Sequence, residues 1–129
     1  MQDCGQPDNH VLVVDDEESL RQVIGIFLQR EGFTPLTAAN GTEGVALFRE
    51  HAPGVVCVIV DKSMPGMDGV ATAEAIRGLN PGVPVIIASG YPQVDVGGLS
   101  RDVGPTAFIK KPFSLPELMR LVREVVGRP

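Results

Sequence analysis

The sequence predicts an α/β fold: a single doubly wound (βα)5 domain, with a five-stranded parallel sheet and helices on both faces. Three observations carry that prediction. Short runs of aliphatic and β-branched residues alternate with segments whose apolar residues recur at helical spacing, from near the start of the chain to its end. Val55 to Val60 is apolar at every position rather than at alternate ones, as a strand buried on both faces of a parallel sheet must be. Acidic, hydroxyl and basic residues follow directly on the runs, where an open parallel sheet gathers its ligands.

The elements follow in order. Met1 to Asn9 is polar and reads as a flexible tail, and the domain runs from residue 10 to 127. His10 to Val14 is the first strand. Leu20, Val23, Ile24, Phe27 and Leu28 fall at i, i+3, i+4, i+7 and i+8, the stripe of an amphipathic helix that stops near Gly32. Phe33 to Ala38 is a second strand. Asn40, with Glu43 three residues on, starts a helix whose inner face carries Val45 and Phe48. The third strand runs into Asp61, Met64-Pro65-Gly66 breaks regular structure, and Asp68 caps a helix through Val70, Ala73 and Ile76. That helix ends around Gly78 to Gly82.

Val83 to Ala88 is a fourth strand, with Pro84 near its start. Val94 to Val103 contains Gly97-Gly98, so a helix there is short and weakly supported by propensity. Thr106 to Ile109 is the fifth strand. Ser114 and Glu117 form a capping box for a last helix striped by Leu115, Leu118, Met119, Val122, Val125 and Val126. There is no internal repeat, low-complexity segment or linker.

Composition narrows the function. The 129 residues fit one domain, and 43% hydrophobic with 21% charged residues is the balance of a globular protein. A net charge of −5, with lysines clustered only at Lys110-Lys111, argues against nucleic-acid binding. No apolar run approaches a bilayer span and the N-terminus lacks an h-region, so a cytoplasmic domain without membrane contact is expected. Cys4 falls in the tail and Cys57 in a buried strand, which disfavours a disulfide. His10 and His51 show no metal-ligand spacing.

Asp15, Asp16, Asp61, Ser89 and Lys111 each follow directly on a strand, so they converge on one edge of the sheet although scattered along the chain. Two buried strands ending in acid make a candidate cation site with a candidate nucleophile beside it. Taken singly, each residue has a plainer reading: the acids of 15–18 as helix N-terminal charges, Asp61 as a turn former, Ser89 as a Ser-Gly turn, the lysines as a solvated strand end, Phe108 as core.

Together these residues resemble the receiver domain of two-component response regulators, over about Val11 to Val126. The matches are Asp15-Asp16 after the first strand, Asp61 in its M-P-G-M-D-G setting, Ser89 in A-S-G-Y, Lys111-Pro112 in K-P-F, and Phe108 three residues before that lysine. The resemblance implies a flavodoxin-like receiver fold of sheet order 2-1-3-4-5. It implies that Asp61 accepts a phosphoryl group from a histidine kinase or a histidine phosphotransfer domain. It implies Mg²⁺ held directly by Asp16 and Asp61, through water by Asp15, and by the backbone carbonyl of Ser63. Lys111 and Ser89 then bind phosphoryl oxygens, and Ser89 with Phe108 forms the switch. The choice of Lys111 over Lys110 rests on the family pattern, in which the lysine precedes proline through a cis bond.

The residue types suit that chemistry. A carboxylate oxygen is a competent nucleophile toward phosphorus. Phosphoryl transfer spreads charge over three oxygens, so catalysis is mostly positioning and neutralisation. Mg²⁺ takes a few carboxylates and keeps waters that phosphate oxygens can replace.

By the resemblance the chain is a signalling module rather than an enzyme, although it promotes its own phosphorylation and dephosphorylation. Its switching surface comprises Val94 to Val103, Thr106 to Ile109 and the last helix, and serves an output partner or a homodimer. No output domain is expected after the last helix, and the chain is expected to be a single-domain regulator or the receiver of a hybrid histidine kinase or longer regulator. A haloacid-dehalogenase-like phosphatase is the rival from another class. That enzyme needs a general acid two residues beyond the nucleophile, and here the position is Ser63. A flavin binder lacks its phosphate loop, and a docking module without phosphorylation would not need the full residue set.

Overall fold

Residues 9–90 and 106–127 are described here in a computed structural model. Five strands form one parallel sheet in the order β2-β1-β3-β4-β5. They are β1 (His10–Val14), β2 (Thr34–Ala38), β3 (Val55–Asp61), β4 (Val85–Ser89) and β5 (Thr106–Lys110). The helices are α1 (Glu18–Arg30), α2 (Gly41–His51), α3 (Gly69–Leu79) and α4 (Leu115–Val126). The expected helix over 94–103 and the tail residues 1–8 lie outside the described residues. Asn9, counted with the tail, is buried; its Nδ2 donates to the Gly32 carbonyl at 3.2 Å.

The aliphatic runs fill both faces of the sheet because successive side chains alternate. Leu12, Val14, Val58, Val60, Val85 and Ile87 pack with Phe48 of α2 and with Ala73 and Ile76 of α3. Val11, Val13, Cys57, Ile59, Ile86, Ala88 and Ile109 pack with Ile24 and Leu28 of α1 and with Leu118, Met119 and Val122 of α4. Burial pushes the Cys57 thiol up to about 12, so it is a neutral core residue. A bulge interrupts the β1–β3 pairing, where His10 faces Val55 and Val11 already faces Cys57.

The capping signals work as expected. Asn40 Oδ1 accepts from the Glu43 N–H at 2.8 Å, and the Glu43 carboxylate accepts from the Ala39 N–H at 2.8 Å. Asp68 caps α3 through the Ala71 N–H at 2.9 Å, and Ser114 caps α4 through the Glu117 N–H at 3.1 Å.

Three local expectations are corrected. Val23 does not belong to the buried stripe of α1: it is 39% exposed, and Ile26 is 49% exposed. The contact line runs through Ile24, Gly25 and Leu28 instead, and the absence of a side chain at Gly25 leaves room for the Pro35 ring of β2 beside it. Strands β2 and β4 start at Thr34 and Val85, past Phe33 and Pro84, although Phe33 and Val83 are themselves buried. Asp15 and Asp61, expected where the sheet ends and solvent begins, are instead buried, at 4% and 6% exposed.

Pro35 occupies an outward-facing position of β2. The Thr34 N–H donates to Asn9 and the Ala38 carbonyl accepts from Asp15, so the alternate positions Pro35 and Thr37 turn to the open edge.

Candidate functional site

The carboxyl ends of β1, β3, β4 and β5 bring together the residues singled out by the sequence. Asp61 is the last residue of β3 and Ser89 the last of β4, while Asp15 follows β1 and Lys111 follows β5. Sheet pairing enforces the convergence: Val14 lies opposite Val60, Asp61 opposite Ala88, and Ser89 opposite Lys110. Lys110, the strand residue, is exposed. Lys111 N–H donates to the Ser89 carbonyl at 2.8 Å, and the Lys111–Pro112 bond is cis.

Lys111 and not Lys110 reaches the acids. Its Nζ lies 3.2 Å from Asp61 Oδ1 and 3.6 Å from Asp15 Oδ2. One carboxylate oxygen from each of Asp15, Asp16 and Asp61 falls within 4.8 Å of the others, with Asp16 the exposed member. Burial raises the Asp61 pKa; the hydrogen bond and charge of Lys111 oppose this, and Asp15 adds to it, leaving the carboxyl above its ordinary value. For Lys111, burial works against the ammonium, but the two carboxylates outweigh it and raise its pKa. The site is an acidic cluster only partly offset by one lysine.

That donor set suits a hard divalent cation. Three carboxylate oxygens within 4.8 Å of one another, one carboxylate open to water, and no thiol or imidazole among the three, match Mg²⁺ preference.

The loop after β3 is held close. Gly69 N–H donates to the Lys62 carbonyl at 2.9 Å, and a Cβ at Gly69 would run into the Asp61 and Lys62 backbone. Ser63 N–H points to Asp61 Oδ1 at 3.4 Å. Gly66 takes a φ of +75°, open to glycine at no steric expense. Phe108 is half-buried, packed against the cluster under α2 and α3, on the strand residue paired with Ile87.

Sequence reasoning missed Arg21. Its guanidinium donates to the Asp15 carbonyl at 2.8 Å, while the Glu17 N–H donates to Asp15 Oδ1 at 2.9 Å. Asp15 is thus fixed at its backbone by α1 and at its side chain by the first turn. The available signal was an arginine one helical turn beyond the acids, on the side of α1 that returns to the strand end.

A family model described as the response regulator receiver domain matches residues 11–123. The chain is 37% identical over 115 residues to a putative response regulator NtrX-like of Rickettsia bellii, covering 88% of this chain and 24% of that protein. It is 34% identical over 126 residues to the probable transcriptional regulatory protein TcrX of Mycobacterium tuberculosis, covering 96% of this chain and 52% of that protein. It therefore spans from a quarter to about half of the length of these relatives. Among solved structures it is similar to response regulator TrrA of Thermotoga maritima in complex with Mg²⁺-BeF, at 32% identity and a TM-score of 0.73, covering 91% of this chain and 98% of that one.

Proposed function

The chain belongs to the response regulator receiver domain family, and on that premise we propose that Asp61 is the phosphoacceptor of a two-component phosphorelay. The receiver unit is residues 10–127, preceded by the tail 1–9. The observation that carries the reading is the Lys111 ammonium bridging Asp61 and Asp15 at 3.2 and 3.6 Å, with Asp16 beside them.

The phosphoryl donor is a phosphohistidine of a histidine kinase or histidine phosphotransfer domain. An Asp61 oxygen forms the new P–O bond as the P–N bond breaks, and the electron pair leaves with the imidazole. Lys111 stays charged through the step and takes a phosphoryl oxygen as the Asp61 carboxylate becomes an acyl phosphate, a mixed anhydride. The Ser89 hydroxyl donates to a second oxygen. Asp16, Asp61 and the Ser63 carbonyl, with Asp15 through water, would hold Mg²⁺, which would supply positive charge to the remaining oxygens. Water reversing the linkage makes the domain its own slow phosphatase, so its role is regulatory rather than that of an enzyme on outside substrates. The TrrA complex with Mg²⁺-BeF supports the cation reading.

Ser89 moving toward the phosphoryl group and Phe108 turning deeper beside β5 form the switch. Its readout surface is β5 with α4 and residues 94–103, open to an output partner or a second copy of the chain. No helix among the described residues is long and apolar enough to cross a membrane, and we assign the work to the cytoplasm. The phosphatase alternative is disfavoured because Ser63, not a carboxylic acid, stands two residues past Asp61.

Incubation with a small phosphodonor and Mg²⁺ should add one acid-labile phosphoryl group, and Asp61→Asn should abolish it. Undiminished labelling of the variant overturns the reading.

A further inference from the structure

The two histidines of the chain, far apart in sequence, meet at the end of the sheet away from the carboxylates. His10 opens β1 and His51 closes α2, whereas Asp15 and Asp61 stand at the far ends of β1 and β3. Strand alternation turns His10 to the face of Leu12 and Val14, which α2 covers. The ring centres are 5.6 Å apart and the planes are tilted by 31°. His10 Nδ1 is buried without a hydrogen-bond partner. Both residues retain partial exposure, so the pair is open to small solutes.

We propose that His10 and His51 form a second cation site, one that takes a borderline divalent transition metal such as Zn²⁺. Imidazole nitrogens suit Zn²⁺, Cu²⁺ and Ni²⁺, whereas a carboxylate cluster suits Mg²⁺, so the two ends of the sheet differ in the ion each selects. A zinc–imidazole bond of about 2.1 Å sets the ion about 3.2 Å from a ring centre, so two rings on one ion can stand up to about 6.4 Å apart. The observed 5.6 Å falls within that reach. An unpartnered imidazole nitrogen carries either an unmet proton or an unmet lone pair, and a metal ion answers the second. With two protein ligands, water completes the shell, which makes the site exchangeable rather than permanent. Occupancy would clamp the start of β1 to the end of α2 and stabilise the folded chain by linkage.

The test is a Zn²⁺ titration in excess Mg²⁺, which occupies the carboxylate cluster, on a Cys4→Ser background that removes the competing thiol. The chain has two histidines, so their ring-proton NMR signals report each ligand directly. Both signals should shift together and saturate at one ion per chain, with a rise in Tm. His51→Gln should lose the Tm rise and the His10 shift, and His10→Gln should lose the His51 shift, while both variants still accept phosphate. Asp16→Asn should keep the zinc response. Ring signals that stay unmoved, or a Tm rise that survives both histidine variants, overturn the site and leave a simple ring-packing contact.

Discussion

Lys111 Nζ lies 3.2 Å from Asp61 Oδ1, and that contact favours the carboxylate against the burial and the Asp15 charge that oppose it. The balance remains unfavourable to the anion, since the Asp61 pKa stays raised. A pocket of this kind is built to receive positive charge, and its stability depends on whether it has done so.

The first prediction follows from that raised pKa. Below the unfolded value of 3.8 both states hold the proton. Above the folded pKa neither does. Between the two only the folded state binds it, so stability falls as pH rises through the window and stays lowered above it. Asp61→Asn should therefore raise Tm at neutral pH in chelator, with the gain shrinking as pH approaches 4. Thermal melts at two pH values decide the matter, and a variant that melts lower at neutral pH contradicts it.

Mg²⁺ affinity should depend on Asp16, the exposed member of the cluster. Removing one of three carboxylates with Asp16→Asn weakens the attraction for a hard cation, so Mg²⁺ binding should fall and phosphorylation should slow. Stability without metal should hold or rise, because one like charge is gone. Equal Mg²⁺ affinity in a direct titration would locate the cation elsewhere.

Arg21 should act through Asp15 as a positioning residue. Arg21→Met keeps the aliphatic stem against α1 but frees the Asp15 carbonyl. The expected outcome is weaker Mg²⁺ binding, together with a lower Tm from a stability loss of about 1.5–3 kcal/mol for one charged hydrogen bond. A purely structural role would lower Tm and leave Mg²⁺ affinity in the folded protein unchanged, so the titration separates the two.

Switching should depend on Ser89. Ser89→Ala should still accept phosphate at Asp61 but lose much of the change around Phe108 and α4. Amide exchange with and without beryllofluoride reads this directly. Equal perturbation of the variant and the unaltered chain across that face would refute the coupling.

Much of this was legible in advance because each signal had one physical meaning. The runs at Val11 to Val14 and Val55 to Val60 are apolar throughout, and only a sheet covered on both faces uses such strands. Asn40, Asp68 and Ser114 fixed three helix starts through their own side chains. Val23 was misjudged because periodicity reports a helix face but not where that face ends, and Val23 falls just outside the buried line of Ile24, Gly25 and Leu28. Arg21 and the His10–His51 contact were illegible for a related reason: both depend on where chain ends and helix ends meet in space. The burial of Asp15 and Asp61 was missed because the sequence marks a strand end but not how much of the chain packs around it.

Pro35 has a consequence for how the molecule behaves in company. A parallel sheet with β2 at its margin offers a row of outward N–H and C=O groups to any extended strand that drifts past. At Pro35, the first outward position of that row, the ring nitrogen has no proton to give, and a foreign strand cannot zip along it. The margin is thereby blunted against edge-to-edge polymerisation. Copies of the module that meet along that margin can remain discrete without a charge placed on that edge.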